Sequence, residues 1–143
     1  PGPAGPAGPS GVLASGFLSG SGFDVESGKA FVVNPVTVTV AAYGQKVLVT
    51  SHRSLGSTVG AEGLRLWIGY RPSGSSSAPS TVGSGSYGIE VPANTRVPMG
   101  LSAVLTLTAG TYEVGLVASA PNDAEDWNSN EYGYTTALVF EEQ

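Results

Sequence analysis

The chain has 143 residues, of which 41% are apolar and only 12% are charged, and it contains no cysteine. This length allows one domain with a hydrophobic core plus a short appendage, and the absence of cysteine excludes disulfides, thiolate zinc sites and cysteine nucleophiles. The net charge of −5 and the scattering of the six lysines and arginines argue against nucleic acid as a partner, and no segment approaches the roughly 18 consecutive apolar residues of a membrane span.

Residues 1–11 follow a strict three-residue period. Glycine occupies every third position, at Gly2, Gly5, Gly8 and Gly11, and proline follows each of the first three. Three polyproline-II chains wound together bring every third residue to a crowded axis where only glycine fits. We therefore predict that residues 1–11 are the end of a collagen-like triple helix with a longer stalk upstream, rather than a flexible proline- and glycine-rich linker.

Residues 12–29 are a connector rich in glycine and serine. This composition is typical of a flexible linker. Two aromatic residues within it, Phe17 and Phe23, instead favour the packing of part of the segment on the following domain as a first strand. We therefore expect the connector to be partly packed on residues 30–143.

Residues 30–143 alternate between apolar and polar side chains, the period of two that predicts strands. β-branched and aromatic residues dominate the segments with this alternation, which are 36–40, 47–49, 64–70, 101–108, 112–118 and 134–140. No stretch has a sustained 3.6-residue apolar stripe with helix caps, and residues 71–85 and 121–131 have the composition of turns. The pattern predicts an all-β domain, an antiparallel jelly roll or β-sandwich.

Some predicted strands are apolar on both faces. Trp67, Val104, Val117 and Val139 lie opposite the predicted core face of their strands. Because one face of an antiparallel sheet is usually polar and solvated, these side chains predict contact with a neighbouring subunit.

Catalytic chemistry has little support in the sequence. The single histidine, His52, would need a serine and an acid held in place by the fold to act in a triad. Neither a Gly-x-Ser-x-Gly elbow before a helix nor a phosphate-binding Gly-x-x-x-x-Gly-Lys loop is present. We therefore predict a chain that is not an enzyme and uses no catalytic cofactor, with His52 on the surface or structurally satisfied.

The loop 122–131 is the one constellation with metal-binding chemistry. Seven Asn, Asp and Glu side chains occur in these ten residues, and calcium takes about six to eight oxygen ligands. Asp123, Glu125 and Asp126 are therefore candidate calcium ligands, although the ligand order of an EF-hand is missing. The alternative is a solvated loop with Asx turns. Trp127, in the middle of the loop, either anchors it or stands exposed as a contact for a carbohydrate or another partner.

The layout of the chain resembles a known family. A Gly-X-Y segment that leads into a compact β domain of this size is similar to C1q/TNF-like proteins and to bacterial and phage collagen-like proteins, and segments 105–116, 127–130 and 134–140 resemble the ends of such domains. The resemblance implies a jelly roll that forms a homotrimer about a three-fold axis continuous with the triple helix. Alanine and serine at the third position of each triplet favour a bacterial or phage source, and the family implies a location outside the cell, on a cell or virion surface.

Three function classes follow from these observations. The first is a structural trimerisation domain that nucleates and registers the stalk, because tethering three chains at one end makes their association effectively intramolecular. The second is an adhesin or receptor-binding tip displayed on the stalk, with a surface receptor or carbohydrate as its partner. An enzyme is the third, and it would require a pocket with strongly shifted carboxylates. The partner expected in the first two classes is the chain itself, as a homotrimer, with no nucleic acid and no membrane insertion.

Overall fold

The computed structural model describes residue 2, residues 11–42 and residues 44–141. Within these residues nine strands form two antiparallel sheets, and no α-helix is present, which confirms the all-β prediction. Most of the predicted triple-helix segment, including Gly5 and Gly8, lies outside the described residues. The strands in chain order are β1 (Val12–Gly20), β2 (Ala30–Phe31), β3 (Val36–Val40), β4 (Gln45–Ser57), β5 (Ala61–Pro72), β6 (Ser80–Val91), β7 (Thr95–Thr106), β8 (Gly110–Ser119) and β9 (Gly133–Glu141).

The two sheets pack face to face, the arrangement of a β-sandwich. Sheet I has the strand order β1-β9-β4-β7, and sheet II has the order β2-β8-β5-β6, with β3 also paired to β8. Side chains from the inner faces of both sheets form one hydrophobic core. In the described part of the chain, no helix is long and apolar enough to cross a membrane.

The alternation of apolar and polar residues places most core side chains as predicted. In β3, Val36, Val38 and Val40 are buried while the threonines between them are exposed. The closing strand β9 is the exception, because Ala137 and Val139 point into the core. The prediction that Val139 lies opposite the core face is therefore wrong. Both faces of β9 carry apolar residues, so a period of two alone does not tell which face is inside.

The outer face of sheet II carries a small second hydrophobic cluster, formed by Phe31, Trp67 and Val117. The Lys29 ammonium group lies 4.5 Å from the centre of the Trp67 ring, and the Arg71 guanidinium lies 5.1 Å from that of Phe31. Long cationic side chains commonly cover apolar surface in this way. The prediction that Trp67 and Val117 contact a neighbouring subunit is therefore wrong, because this chain already buries them. Val104, in contrast, stays about half exposed on the outer face of sheet I.

Strand β6 lies partly in a stretch that has the composition of a turn. Its first half falls in residues 71–85, and its register with β5 shifts repeatedly along the pair. Gly83, Gly85 and Gly88 have positive φ angles of 78°, 83° and 68°. Glycines of this kind are typical of β-bulges, which interrupt the alternation of side chains. The strand therefore leaves no period-two pattern in the sequence.

A polar side chain of sheet I compensates for the break between β2 and β3 in sheet II. The backbone N–H of Leu116, on β8 beside this break, donates a hydrogen bond of 3.0 Å to Ser51 Oγ. Ser51 lies on the inner face of β4, and its Oγ is 2.7 Å from Thr135 Oγ1 of β9. The buried Ser51 hydroxyl thus accepts a hydrogen bond from the Leu116 N–H, which would otherwise have no partner at the break.

We expect Ser51→Ala to lower the free energy of unfolding by about 1–3 kcal/mol, because it leaves the buried N–H of Leu116 without an acceptor. The neighbouring Thr50 bonds only to Ser102 on the exposed face, so Thr50→Ala serves as the matched control and should change stability by less than about 0.5 kcal/mol. Urea denaturation followed by circular dichroism measures both. Equal effects of the two substitutions would argue against a structural role for the Ser51 hydrogen bond.

Candidate functional site

The acidic loop is held against the sandwich by Trp127. This side chain is only 2% exposed and belongs to the main core, and its Nε1 donates to the carbonyl oxygen of Glu62 at 3.2 Å. Asn130 Oδ1 accepts from the Gly56 N–H at 3.1 Å, and Asn130 Nδ2 donates to the Trp127 carbonyl at 2.9 Å. Trp127 therefore anchors the loop, and the interpretation of this residue as an exposed partner contact is corrected.

The carboxylates of the loop are divided between two grooves. Glu125 and Asp126 belong to a single 3₁₀ turn, Ala124–Asp126, and Asp123 is its N-cap residue. Residues three apart in such a turn, here Asp123 and Asp126, share one side. The first groove, of about 330 Å³, is lined by Glu62, Glu90, Asp123 and Asp126. The second groove, of about 460 Å³, is lined by Asp24, Glu26 and Glu125.

These carboxylates are not gathered at one point. Among the described residues, no group of three Asp, Glu or His side chains is placed so that it could hold a metal ion. The turn directs Glu125 away from Asp123 and Asp126, so the predicted calcium ligands do not converge. The grooves instead make one end of the sandwich strongly acidic, with seven of the eleven carboxylates of the chain.

The acidic end lies far from Gly11, the last residue of the predicted triple-helix segment. β1 begins at Val12 opposite Phe140 and ends at Gly20 opposite Gly133. The acidic loop connects the end of β8 to Gly133, the first residue of β9, so it sits beside the end of β1 rather than its start. Gly11 and the loop are thus at opposite ends of the sandwich.

Arg53 joins the connector to the acidic loop. Its guanidinium donates four hydrogen bonds to backbone carbonyl oxygens, from Nε to Glu131 at 2.8 Å, from Nη1 to Val32 at 2.8 Å and to Phe23 at 2.5 Å, and from Nη2 to Ser21 at 2.5 Å. Burial lowers the pKa of Arg53, and the charge of Asp24 opposes this shift. The alternation of β4 places Arg53 on the inner face, which is the signal in the sequence that could have identified it.

The outer face of sheet I carries a row of aromatic rings. The ring centres of Phe17 and Tyr134 are 6.4 Å apart, and those of Tyr134 and His52 are 5.2 Å apart in a stacked arrangement. Phe17 is 64% exposed. His52 therefore belongs to a surface aromatic cluster that crosses β1, β9 and β4.

The same face has little charge although the chain is acidic. Alternation from the buried inner residues places Leu48, Thr50 and His52 of β4 on it, beside Ser102 and Val104 of β7. Among the described residues, the charged side chains on this face are Lys46 and Arg96 near its two ends. Arg96 is paired with Glu131 at 2.7 Å.

The edge strand β1 adds further exposed apolar surface. Val12, Leu13 and Leu18 are each more than 40% exposed, in addition to Phe17. Large exposed apolar patches on a folded domain mark interaction surfaces. The outer face of sheet I together with β1 is therefore the candidate interaction surface of the chain.

No protein-family model matches the chain, and a search of the curated proteins finds no match. The fold, the outer face of sheet I and the position of Gly11 therefore indicate the function of the chain.

Proposed function

We propose that the chain is a non-enzymatic trimerisation domain that nucleates and registers a collagen-like stalk. One observation carries the proposal: β1 begins at Val12, immediately after Gly11, the last glycine of the three-residue repeat. A triple helix that ends at Gly11 would bring three copies of β1 to one axis with no linker between. The domain that follows would then have to associate with two copies of itself.

The pairing of the strands supports the resemblance to C1q/TNF-like domains. If β2 and β3 are counted as one interrupted strand, the eight strands pair from the outside inwards: β1 with β9, β2 and β3 with β8, β4 with β7, and β5 with β6. A single long antiparallel hairpin rolled into two sheets gives this nested order. It is the order expected of an eight-stranded jelly roll, the fold that the resemblance implies.

The surface chemistry of sheet I supports self-association. Copies of a chain with a net charge of −5 repel one another where their carboxylates meet. The outer face of sheet I avoids this repulsion, because its central residues are apolar, aromatic or hydroxyl-bearing. Burial of Phe17, Val104 and the exposed side chains of β1 would supply a hydrophobic driving force.

Trimerisation by this domain would assist the stalk directly. Three Gly-X-Y triplets extend only about 30 Å at roughly 3.1 Å per residue and are too short to associate alone. Once three domains have assembled, the chains emerging from them experience an effective concentration in the millimolar range. The domain would therefore start the triple helix and set its register.

The acidic end favours a second function, a binding tip. Because the acidic loop lies at the opposite end from Gly11, it would stand at the far end of the stalk, on a cell or virion surface. A surface receptor or carbohydrate could contact its two grooves, and a trimer would present three copies with increased avidity. This function is compatible with trimerisation.

Sedimentation equilibrium tests the proposal with two chains, the full chain and a shortened chain that begins at Gly11 and keeps all of β1. We expect each to sediment at three times its own chain mass, which is 14.4 kDa for the full chain, because sheet I and β1 are intact in each. A monomeric mass for both would refute trimerisation by the domain. A trimer that needs residues 1–10 would assign assembly to the repeat and favour the binding tip.

A further inference from the structure

We infer that Phe17 of one copy inserts into a depression on sheet I of the next copy, between β4 and β7. The inference rests on the proposed trimerisation and names the contact that would hold the trimer together. Each copy would offer one projecting side chain and one depression, so three copies would close a ring in which every depression is filled. A contact between two different patches is the kind that generates rings.

Phe17 projects from the edge of the molecule. It lies on β1, which pairs only with β9 among the described strands, and 64% of its surface is exposed. Its ring contacts Tyr134 on one side. The remainder of this apolar ring is in water, and its burial against another surface is favourable.

The depression lies beside His52. It has a volume of about 420 Å³ and is lined by residues that include Thr50, His52, Gly100 and Ser102. Gly100 adds no side chain to this surface, and β4 and β7 approach so closely there that a Cβ atom would lie 2.5 Å from His52 Cβ. The depression is open to solvent, so a phenyl ring can reach it from outside.

Phe17 and the depression are at the same level of the sheet. Phe17 is paired with Thr136 of β9, Thr136 with Thr50 of β4, and Thr50 with Ser102 of β7. Phe17 and the depression thus lie on one line that runs perpendicular to the strands. A cyclic assembly rotates each copy onto the next without moving it along the axis. Rotation about an axis parallel to the strands would therefore bring Phe17 of one copy to the level of the next copy's depression.

The occupant of the depression is a second copy rather than a foreign protein. Phe17 is six residues from Gly11, which is about 20 Å along an extended strand at roughly 3.3 Å per residue. Three chains that leave one triple helix at Gly11 would therefore have their β1 strands side by side at the level of Phe17. The row around the depression also carries no Asp, Glu, Lys or Arg among the described residues, so two copies can meet there without repulsion between like charges.

Cysteine cross-linking of the full chain tests the contact, because the natural chain has no cysteine. We expect a Ser19→Cys, Ser102→Cys double variant, which keeps the Phe17 side chain and places a thiol beside it on the same face of β1, to give mostly covalent trimers on a denaturing gel after treatment with a short bismaleimide. Each single variant alone should stay monomeric on that gel. An equal mixture of the two single variants should give covalent dimers, since one introduced pair then joins two chains.

Thr37, exposed on β3 of sheet II, provides the matched control: a Thr37→Cys, Ser102→Cys variant should remain uncross-linked.

Sedimentation of each variant before cross-linking distinguishes a failure of the Phe17 contact from a failure of trimerisation itself. If the double variant is trimeric in solution but does not cross-link, the Phe17 contact is wrong and trimerisation stands. If Ser19→Cys alone gives dimers, the copies meet through the same patch and the inference is overturned. If the unmodified chain is monomeric, both ideas fail.

Discussion

Replacing Arg53 by methionine is expected to lower the free energy of unfolding by about 3–5 kcal/mol, one of the two largest effects of any single substitution considered for this chain. The guanidinium donates to four backbone carbonyl oxygens, two in the connector and one each at Val32 and Glu131. Methionine fills part of the volume but removes all four of these donors, and of the four carbonyl oxygens that of Val32 also accepts from the Phe23 N–H, at 3.3 Å. Urea denaturation followed by circular dichroism measures the loss.

Two variants control this prediction. Arg53→Lys keeps the charge but lacks the planar fork that reaches several acceptors at once, so its stability should lie between those of the methionine variant and the natural chain. Arg65→Gln changes an exposed arginine on sheet II, which packs near Tyr87, and should cost less than about 1 kcal/mol. A methionine variant as stable as the Arg65 variant would mean that the Arg53 hydrogen bonds contribute little.

Trp127→Ala is expected to lower the free energy of unfolding by about 3–5 kcal/mol, because it leaves a cavity where a buried ring packs in the core. Trp127→Phe keeps a ring but loses the hydrogen bond to the Glu62 carbonyl, and should cost about 1 kcal/mol for that bond plus a smaller packing loss. Thermal or urea unfolding measures both. Tyr132→Ala, which removes an exposed ring next to the same loop, is the control and should have little effect. If Trp127→Ala keeps full stability, the loop is not anchored by this side chain.

The period of two in the sequence predicts the strands well where one face is buried and the other is wet. β3 is the clearest case, since its valines and threonines separate between core and solvent. It fails where both faces are apolar. In β9 the face that was predicted to lie inside is the outer one. In sheet II the Trp67 and Val117 side chains form a cluster with Phe31 of the same chain, and the cations of Lys29 and Arg71 lie over this cluster. Such cover depends on residues far apart in sequence, which no local pattern contains.

The candidate site was harder to predict than the fold. The composition of loop 122–131 indicates oxygen ligands, but convergence of Asp123, Glu125 and Asp126 depends on the path of the chain, and the 3₁₀ turn directs Glu125 away from the other two. Arg53 and Ser51 follow the inner-face alternation of β4, yet their partners are backbone atoms of distant segments. The aromatic row of Phe17, Tyr134 and His52 comes from three strands and becomes visible only when they are paired.

The proposed attachment of a collagen-like stalk to β1 has a mechanical consequence. Gly11 leads directly into an edge strand that runs antiparallel to β9, and their paired residues extend from Val12 to Gly20. The hydrogen bonds of such a pair lie across the strands. Tension applied through the stalk along the direction of β1 therefore loads these bonds together in shear, instead of opening them one at a time from an end. The force needed to pull the stalk from the domain should accordingly be set by the full length of β1.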